Sequence, residues 1–252
     1  MTRYFLYMAY DGTRFFGWQV QPDRRTVQQV LEQTLSTMLH EKISVTGAGR
    51  TDTGVHASYY VAHFDTSSPI GESSNGPPPE QWIFKLNRFL PPDITVLGMK
   101  EVSEKMHARF SAISRTYHYH ISMVKPLFDR RYTLYHYGAL DTEKIRECCK
   151  VILETKDFTS FSKLHTDVKT NLCHVIRADW ISLEHGYRFE IQSDRFLRNM
   201  VRSLVGTLLE VGKGRIGVEG FSEIVEARDR TRAGQSAPAK GLFLVDVSYA
   251  VD

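Results

Sequence analysis

The chain opens on an alternation, with Tyr4, Leu6, Met8 and Tyr10 set against Arg3, Phe5, Tyr7 and Ala9. A period of two predicts a strand over 2–10, and apolar residues in both sets suit a central position in a sheet. The period then lengthens. Val27, Val30, Leu31, Leu35, Met38 and Leu39 recur at helical spacing, and Thr26 with Gln29 forms a capping-box pattern ahead of them. A short strand at 43–48 leads into the glycine-rich GAGRTDTG, and the β-branched and aromatic run from Tyr59 to Phe64 predicts another strand. SSPIGESSNGPPPE has the composition of an exposed loop, with residues 67–79 forming a long one. A helix at 80–89 and a strand at 94–102 complete a β-α-β-β-α-β order.

The remainder follows the same order. A strand at 113–123 precedes a helix at 141–154, strands at 172–183 and 187–193, helices at 198–211 and 218–227, and a strand at 242–250. Two such runs predict an α+β protein of duplicated ferredoxin-like (split βαβ) halves, residues 1–105 and 106–252, sharing a mostly antiparallel sheet. The repeat lies in the pattern alone, since the halves show no sequence identity.

Composition adds bounds. A chain of 252 residues, 42% hydrophobic and 24% charged, can bury a substantial core without staples. Its three cysteines, Cys148, Cys149 and Cys173, lack metal-ligand spacing, and the adjacent two are poorly placed to pair with each other. They read as reduced thiols in a cytoplasmic protein. The N-terminal MTRYFLYMAYDG is a strand rather than a signal peptide, and no later segment has the apolar length of a membrane span. A net charge of +3 permits nucleic-acid binding without demanding it.

The densest chemistry lies in GAGRTDTGVHA, residues 47–57. A dinucleotide fingerprint would need a third glycine where Asp52 stands, and a phosphate loop would need Gly-Lys-Ser/Thr, so neither phosphate cradle fits. One alternative is a tight turn, with Gly47, Gly49 and Gly54 supplying positive φ and Asp52 making a local turn bond. The other is a site. Arg50 lies two residues before Asp52, the loop leaves a strand, and thin glycine backbone lets a planar substrate approach the carboxylate.

Further along, Arg202 sits among Met200, Val201, Leu204 and Val205, where an inward-pointing arginine needs an anionic partner. Otherwise it snorkels from an amphipathic helix. Gly206, one turn on, leaves space for another chain or a ligand. Tyr117 and Tyr119 share one face of their strand, with His118 and His120 on the other. The H-x-H pair has no third ligand in range and reads as structural, so no metal is expected.

These residues resemble the tRNA pseudouridine synthase A family. GAGRTDTGVHA is similar to its catalytic motif. YDGTRFFGWQVQ (10–21), NRFLPPDI (87–94), HARFSAISRTYHY (107–119), DFTSF (157–161), FLRNMVRSLVG (196–206) and SAPAKGLFLVDVSY (236–249) resemble its other motifs in order along nearly the whole chain.

The resemblance implies a pseudouridine synthase fold with Asp52 as the catalytic aspartate in a cleft between the halves. It implies Arg202 as the ion-pair partner of Asp52 and Tyr117 as the ring that stacks on the target uracil. Arg50 would hold phosphate or ribose near the extruded uridine, or hold the loop. Arg109 joins Arg24, Arg25, Arg115, Arg228, Arg230, Arg232 and Lys240 as candidate contacts to the RNA backbone, and Arg198 is a candidate phosphate ligand. The implied substrate is tRNA, at uridines 38, 39 and 40 of the anticodon arm. The implied assembly is a homodimer, and no cofactor is implied. Attack of Asp52 at C1′ and proton abstraction from C2′ both remain open. A non-catalytic RNA-binding module would not need a carboxylate facing an RNA backbone, and a nucleotide-dependent enzyme would need the missing phosphate loop.

Overall fold

The computed structural model describes residues 1–70, 78–163 and 170–250. The chain forms two compact units, Met1–Ile113 together with the chain from Leu244 onward, and Ser114–Phe243. The sequence division at 105/106 kept the last strand with the second half.

In the first unit β1 (Thr2–Tyr10) runs antiparallel to both β3 (His56–Thr66) and β4 (Ile94–Val102). The strand order is β4-β1-β3, and β3 is also flanked by the short β2 (Val45–Gly47) and by β9 (Leu242–Tyr249). Burial follows the alternation: Tyr4, Leu6, Met8 and Tyr10 are all buried, opposite Phe64, Ala62, Tyr60 and Ala57 of β3. Phe5 is buried from the other set, as a central strand requires. The helix α1 (Val27–Leu39) starts where the pattern places it, with the Gln29 amide donating to Thr26 Oγ1 at 3.3 Å. Its stripe is narrower than the spacing suggests. Val27, Leu31, Leu35 and Leu39 are buried, while Val30 and Met38 sit at its edges.

Helix α2 (Pro79–Phe89) opens on a proline, whose fixed φ and missing N–H suit the first turn. Asn87 then imitates a strand residue, since its side chain donates to the Val96 carbonyl at 2.9 Å and accepts from the Val96 amide at 2.7 Å. That bond pair fixes α2 to β4. Of the long loop at 67–79, residues 71–77 lie outside the described residues.

The second unit is built on β5 (Ala112–Ser122), β7 (Val175–Leu183) and β8 (Gly186–Ser193), ordered β5-β8-β7 and antiparallel throughout. A two-residue strand absent from the sequence reading, β6 (Leu134–Tyr135), adds to β5 in parallel. Helix α3 (Thr142–Glu154) is capped by Asp141, which accepts from the Lys144 amide at 3.1 Å. It buries Ile145, Cys148, Cys149 and Ile152. All three cysteines are free thiols, each pushed up to about 12 chiefly by burial. Helix α4 (Met200–Gly212) is buried on nearly every side, and α5 (Val218–Ala227) buries Phe221 and Ile224.

Candidate active site

The segment from Gly47 to His56 turns the chain from β2 into β3, and residues from five other positions hold it. The Ala48 amide donates to the Val61 carbonyl at 2.8 Å, and the Trp18 amide donates to the Thr51 carbonyl at 3.2 Å. The Gly54 amide donates to the Phe15 carbonyl at 3.3 Å, and the Val55 amide closes a turn onto the Asp52 carbonyl at 3.1 Å. The Tyr10 hydroxyl bonds Thr51 Oγ1 at 2.9 Å, and the Tyr60 hydroxyl donates to the Gly49 carbonyl.

The segment 10–21 packs directly onto this loop. A β-carbon on Gly12 would lie 2.0 Å from the Val55 carbonyl oxygen, and one on Gly17 would lie 2.4 Å from that of Thr51. Gly17 also has φ +85°, so conformation and close approach both select glycine there. The backbone under Asp52 is therefore fixed by contact rather than by its own glycines. Within the loop only Gly54 has positive φ. Gly47 is extended, and a β-carbon there would strike the Tyr60 hydroxyl at 2.2 Å and the Trp18 ring at 2.5 Å. Gly49 needs neither explanation, because a β-carbon there meets nothing within 4 Å. The turn reading, with three glycines at positive φ, is thus corrected at Gly47 and Gly49.

Side chains alternate in exposure along the loop. Arg50 is exposed, Thr51 is buried against Tyr10, and Asp52 is half-buried.

Arg109 also belongs to the first unit and is exposed, its guanidinium 5.6 Å from the centre of the Phe110 ring. The backbone around it is tightly held. The Ala108 amide donates to His63 Nδ1 at 3.1 Å, the Tyr249 hydroxyl to the Ala108 carbonyl at 2.6 Å, and Arg3 to the Met106 carbonyl at 2.9 Å. Burial, with Arg3 nearby, takes the His63 imidazole down to about 4, so it is a neutral acceptor at neutral pH.

Tyr117 and Arg202 belong to the second unit. Tyr117 is half-buried and meets the Phe196 ring edge-on, centres 5.0 Å apart and planes at 85°. Phe196 opens the FLRNMVRS motif but was not singled out from sequence. Arg202 is half-buried, with Nε donating to the Ala237 carbonyl at 2.8 Å, and the Ala237 amide returns a bond to the Arg202 carbonyl at 2.8 Å.

A strap formed by residues 234–238 lies along this part of α4. Asn199 and Arg230 both donate to Ser236 Oγ, at 2.6 and 2.9 Å, and the Tyr119 hydroxyl donates to the Pro238 carbonyl at 2.8 Å. Gly206 does leave space for another chain, and the occupant is this strap. Asn199, Arg230, Tyr119 and Ser236 were missed as supports. For Ser236 the signal lay in the SAPAKG motif, whose first residues are small where a strap must approach a helix.

His118 pairs with Glu190 Oε1 at 2.9 Å, and the same buried carboxylate meets Arg188 at 2.8 Å and Arg177 at 2.9 Å. Among the described residues no three His, Cys, Asp or Glu side chains are grouped to hold a metal ion. Several of the candidate RNA-binding cations contact the protein itself. Arg115 donates to the Asp194 carbonyl, Arg228 pairs with Asp157 at 3.1 Å, Arg232 with Glu223 at 3.5 Å, and Lys240 donates to the Arg130 carbonyl. Arg24 and Arg25 lie over the Phe16 and Phe15 rings at 4.5 and 4.9 Å. No helix among the described residues is long and apolar enough to cross a membrane.

A sequence model of the family described as tRNA pseudouridine synthase matches residues 6–111 and 152–250. The chain belongs to the tRNA pseudouridine synthase family. Pseudouridine synthases are isomerases, and the Asp52 loop, Arg109 and Arg202 lie inside the matched spans, whereas Tyr117 lies outside them. Whole-length relatives agree. The chain is 51% identical to the tRNA pseudouridine synthase A of Bacteroides thetaiotaomicron, over 100% of this chain and 92% of that one. It is 49% identical to that of Parabacteroides distasonis, over 99% and 96%, and 46% identical to that of Porphyromonas gingivalis, over 100% and 99%.

Proposed function

We propose that this pseudouridine synthase isomerises uridines 38, 39 and 40 in the anticodon arm of tRNA, with Asp52 as its catalytic residue. The observation that carries this reading is the Asp52 loop: a half-buried carboxylate on backbone tied down from Tyr10, Phe15, Trp18 and Tyr60. A carboxylate that must reach one sugar carbon benefits from such a mount, because misplacement by about 1 Å costs roughly 100-fold in rate.

Uridine and pseudouridine contain the same atoms, so the conversion needs no oxidant, reductant or second substrate. Ionised Asp52 either attacks C1′ or removes the C2′ proton, and the N1–C1′ bond breaks. The freed uracil turns and its C5 bonds to C1′, which displaces Asp52 from C1′ in the first route or is accompanied by return of the proton from Asp52 to C2′ in the second. The C5 proton then leaves to restore conjugation while N1 gains a proton. A base stacked in an anticodon stem is out of reach, so the uridine is flipped out first. Tyr117 stacks on the flipped ring, a contact worth about 1–3 kcal/mol. Arg50 binds phosphate or ribose beside the extruded nucleotide, Arg109 contacts the RNA backbone, and Arg202 provides a strapped cation. The protein works in the cytoplasm as a homodimer.

The deciding experiment incubates the purified protein with tRNA carrying tritium at uridine C5. Release of tritium, with pseudouridine mapped to the anticodon arm, is the expected result. No release from any tRNA, or pseudouridine confined to another arm, refutes the proposal.

A further inference from the structure

Tyr60 sits on β3, eight residues beyond Asp52, and is fully buried. Its hydroxyl engages both backbone groups of one residue, donating to the Gly49 carbonyl and accepting from the Gly49 amide at 3.4 Å. Its ring stacks on Trp18 with centres 4.2 Å apart, and Tyr10 meets that ring edge-on at 5.5 Å. Tyr10 in turn bonds Thr51 through its own hydroxyl. Arg50 is thus bracketed, its preceding residue held by one buried tyrosine and its following residue by another. Asp52 is next in the chain.

We infer that Tyr60 is a positioning residue for the reaction, setting the height of the Asp52 loop through Gly49 and working as a pair with Tyr10. Gly47 supports this assignment, because a β-carbon there would overlap the Tyr60 hydroxyl and the Trp18 ring, so the chain gives up a side chain to seat them. Gly49 supports it from the other direction. Its missing side chain faces open space, so it gains no fixation from packing there, and the tyrosine hydroxyl contacts both of its backbone groups. The inference rests on the catalytic role proposed for Asp52.

The protein contains its own control. Tyr4, on β1, is buried and clamps Ile70 in the same way, donating to its carbonyl at 3.0 Å and accepting from its amide at 2.8 Å. Tyr4→Phe and Tyr60→Phe therefore remove the same kind of hydroxyl from the same kind of clamp, and only one clamp holds the Asp52 loop. In full-length protein, Tyr60→Phe is expected to lower kcat for tritium release roughly 10- to 100-fold while leaving KM and tRNA affinity within about two-fold. Tyr4→Phe is expected to keep wild-type kcat. Equal kcat values for the two variants, whether both normal or both lowered, overturn the inference.

Amide exchange gives a readout that does not depend on tRNA being the substrate. Tyr60→Phe should speed exchange at residues 49–55 roughly five-fold or more, with Tyr4→Phe unchanged there. Unaltered exchange in Tyr60→Phe overturns the positioning role. Inactivity of wild type on tRNA, with exchange behaving as expected, instead refutes the proposed substrate.

Discussion

A methyl group in place of the Gly206 hydrogen would lie 1.8 Å from the carbonyl oxygen of Gln235. Both are backbone-bound and cannot swing aside, so the strap over α4 exists only because residue 206 is glycine. Gly206→Ala should destabilise the protein by at least about 1–3 kcal/mol, the usual range for overpacking. It should also loosen the bonds that Arg202 and Tyr119 make to residues 237 and 238. Thermal unfolding is the check, and a midpoint within one degree of wild type would contradict the close approach.

Asp52→Asn keeps the shape of the side chain and removes its charge. Tritium release should fall to background, while tRNA binding persists because phosphate and stacking contacts supply most of the affinity. Appreciable turnover by the folded variant would end the assignment of Asp52 as the catalytic residue.

Gly49→Ala separates folding from substrate approach. The added methyl has room and the backbone is not left-handed, so stability should hold or rise by about 0.4–1 kcal/mol. Turnover should nonetheless fall if RNA occupies that space. A variant as stable and as active as wild type would show the space to be idle.

Tyr117→Phe should retain much of the activity if stacking is its task, and Tyr117→Ala should lose most of it. Comparable losses in both, with folding intact, would transfer the role to the hydroxyl.

Acid should weaken the fold in a defined window. Burial holds His63 and His120 down to about 4, whereas a histidine in the unfolded chain titrates near 6.5. Above about pH 6.5 neither state takes the proton and stability is full. As pH falls toward 4 only the unfolded chain takes it, so stability drops through that window, by about 1–2 kcal/mol per histidine at pH 5. His107, His118 and His136, shifted in the same direction by burial, add to the trend. The urea midpoint should be lower at pH 5 than at pH 7, and His63→Asn should reduce the difference. A midpoint flat between those pH values would count against neutral buried histidines.

What the sequence disclosed depended on how local the cause was. The alternation of β1 and the stripe of α1 were legible because each is fixed by its own residues against a core. Gly47 was misread because its reason is tertiary, yielding to Trp18 and Tyr60, and Gly206 was legible as room for another chain but not for which one, the strap at Gln235. Strand β6 escaped notice because two residues carry no period. At the candidate site, Asp52 and Arg50 stood out through their glycine-rich setting. Tyr60 did not, since a buried tyrosine in a strand looks the same whether it fills space or clamps a loop.

The return of β9 to the first unit has a consequence for synthesis on the ribosome. Strand β3, which leads directly out of the Asp52 loop, has β9 as a neighbour, yet the whole of the second unit is translated between them. Until then one flank of β3 lacks that neighbour, a template for pairing with other chains. The nascent protein therefore carries its Asp52 loop on an unfinished sheet for most of its elongation, and closing that sheet requires a contact between distant parts of the sequence, the kind that slows folding.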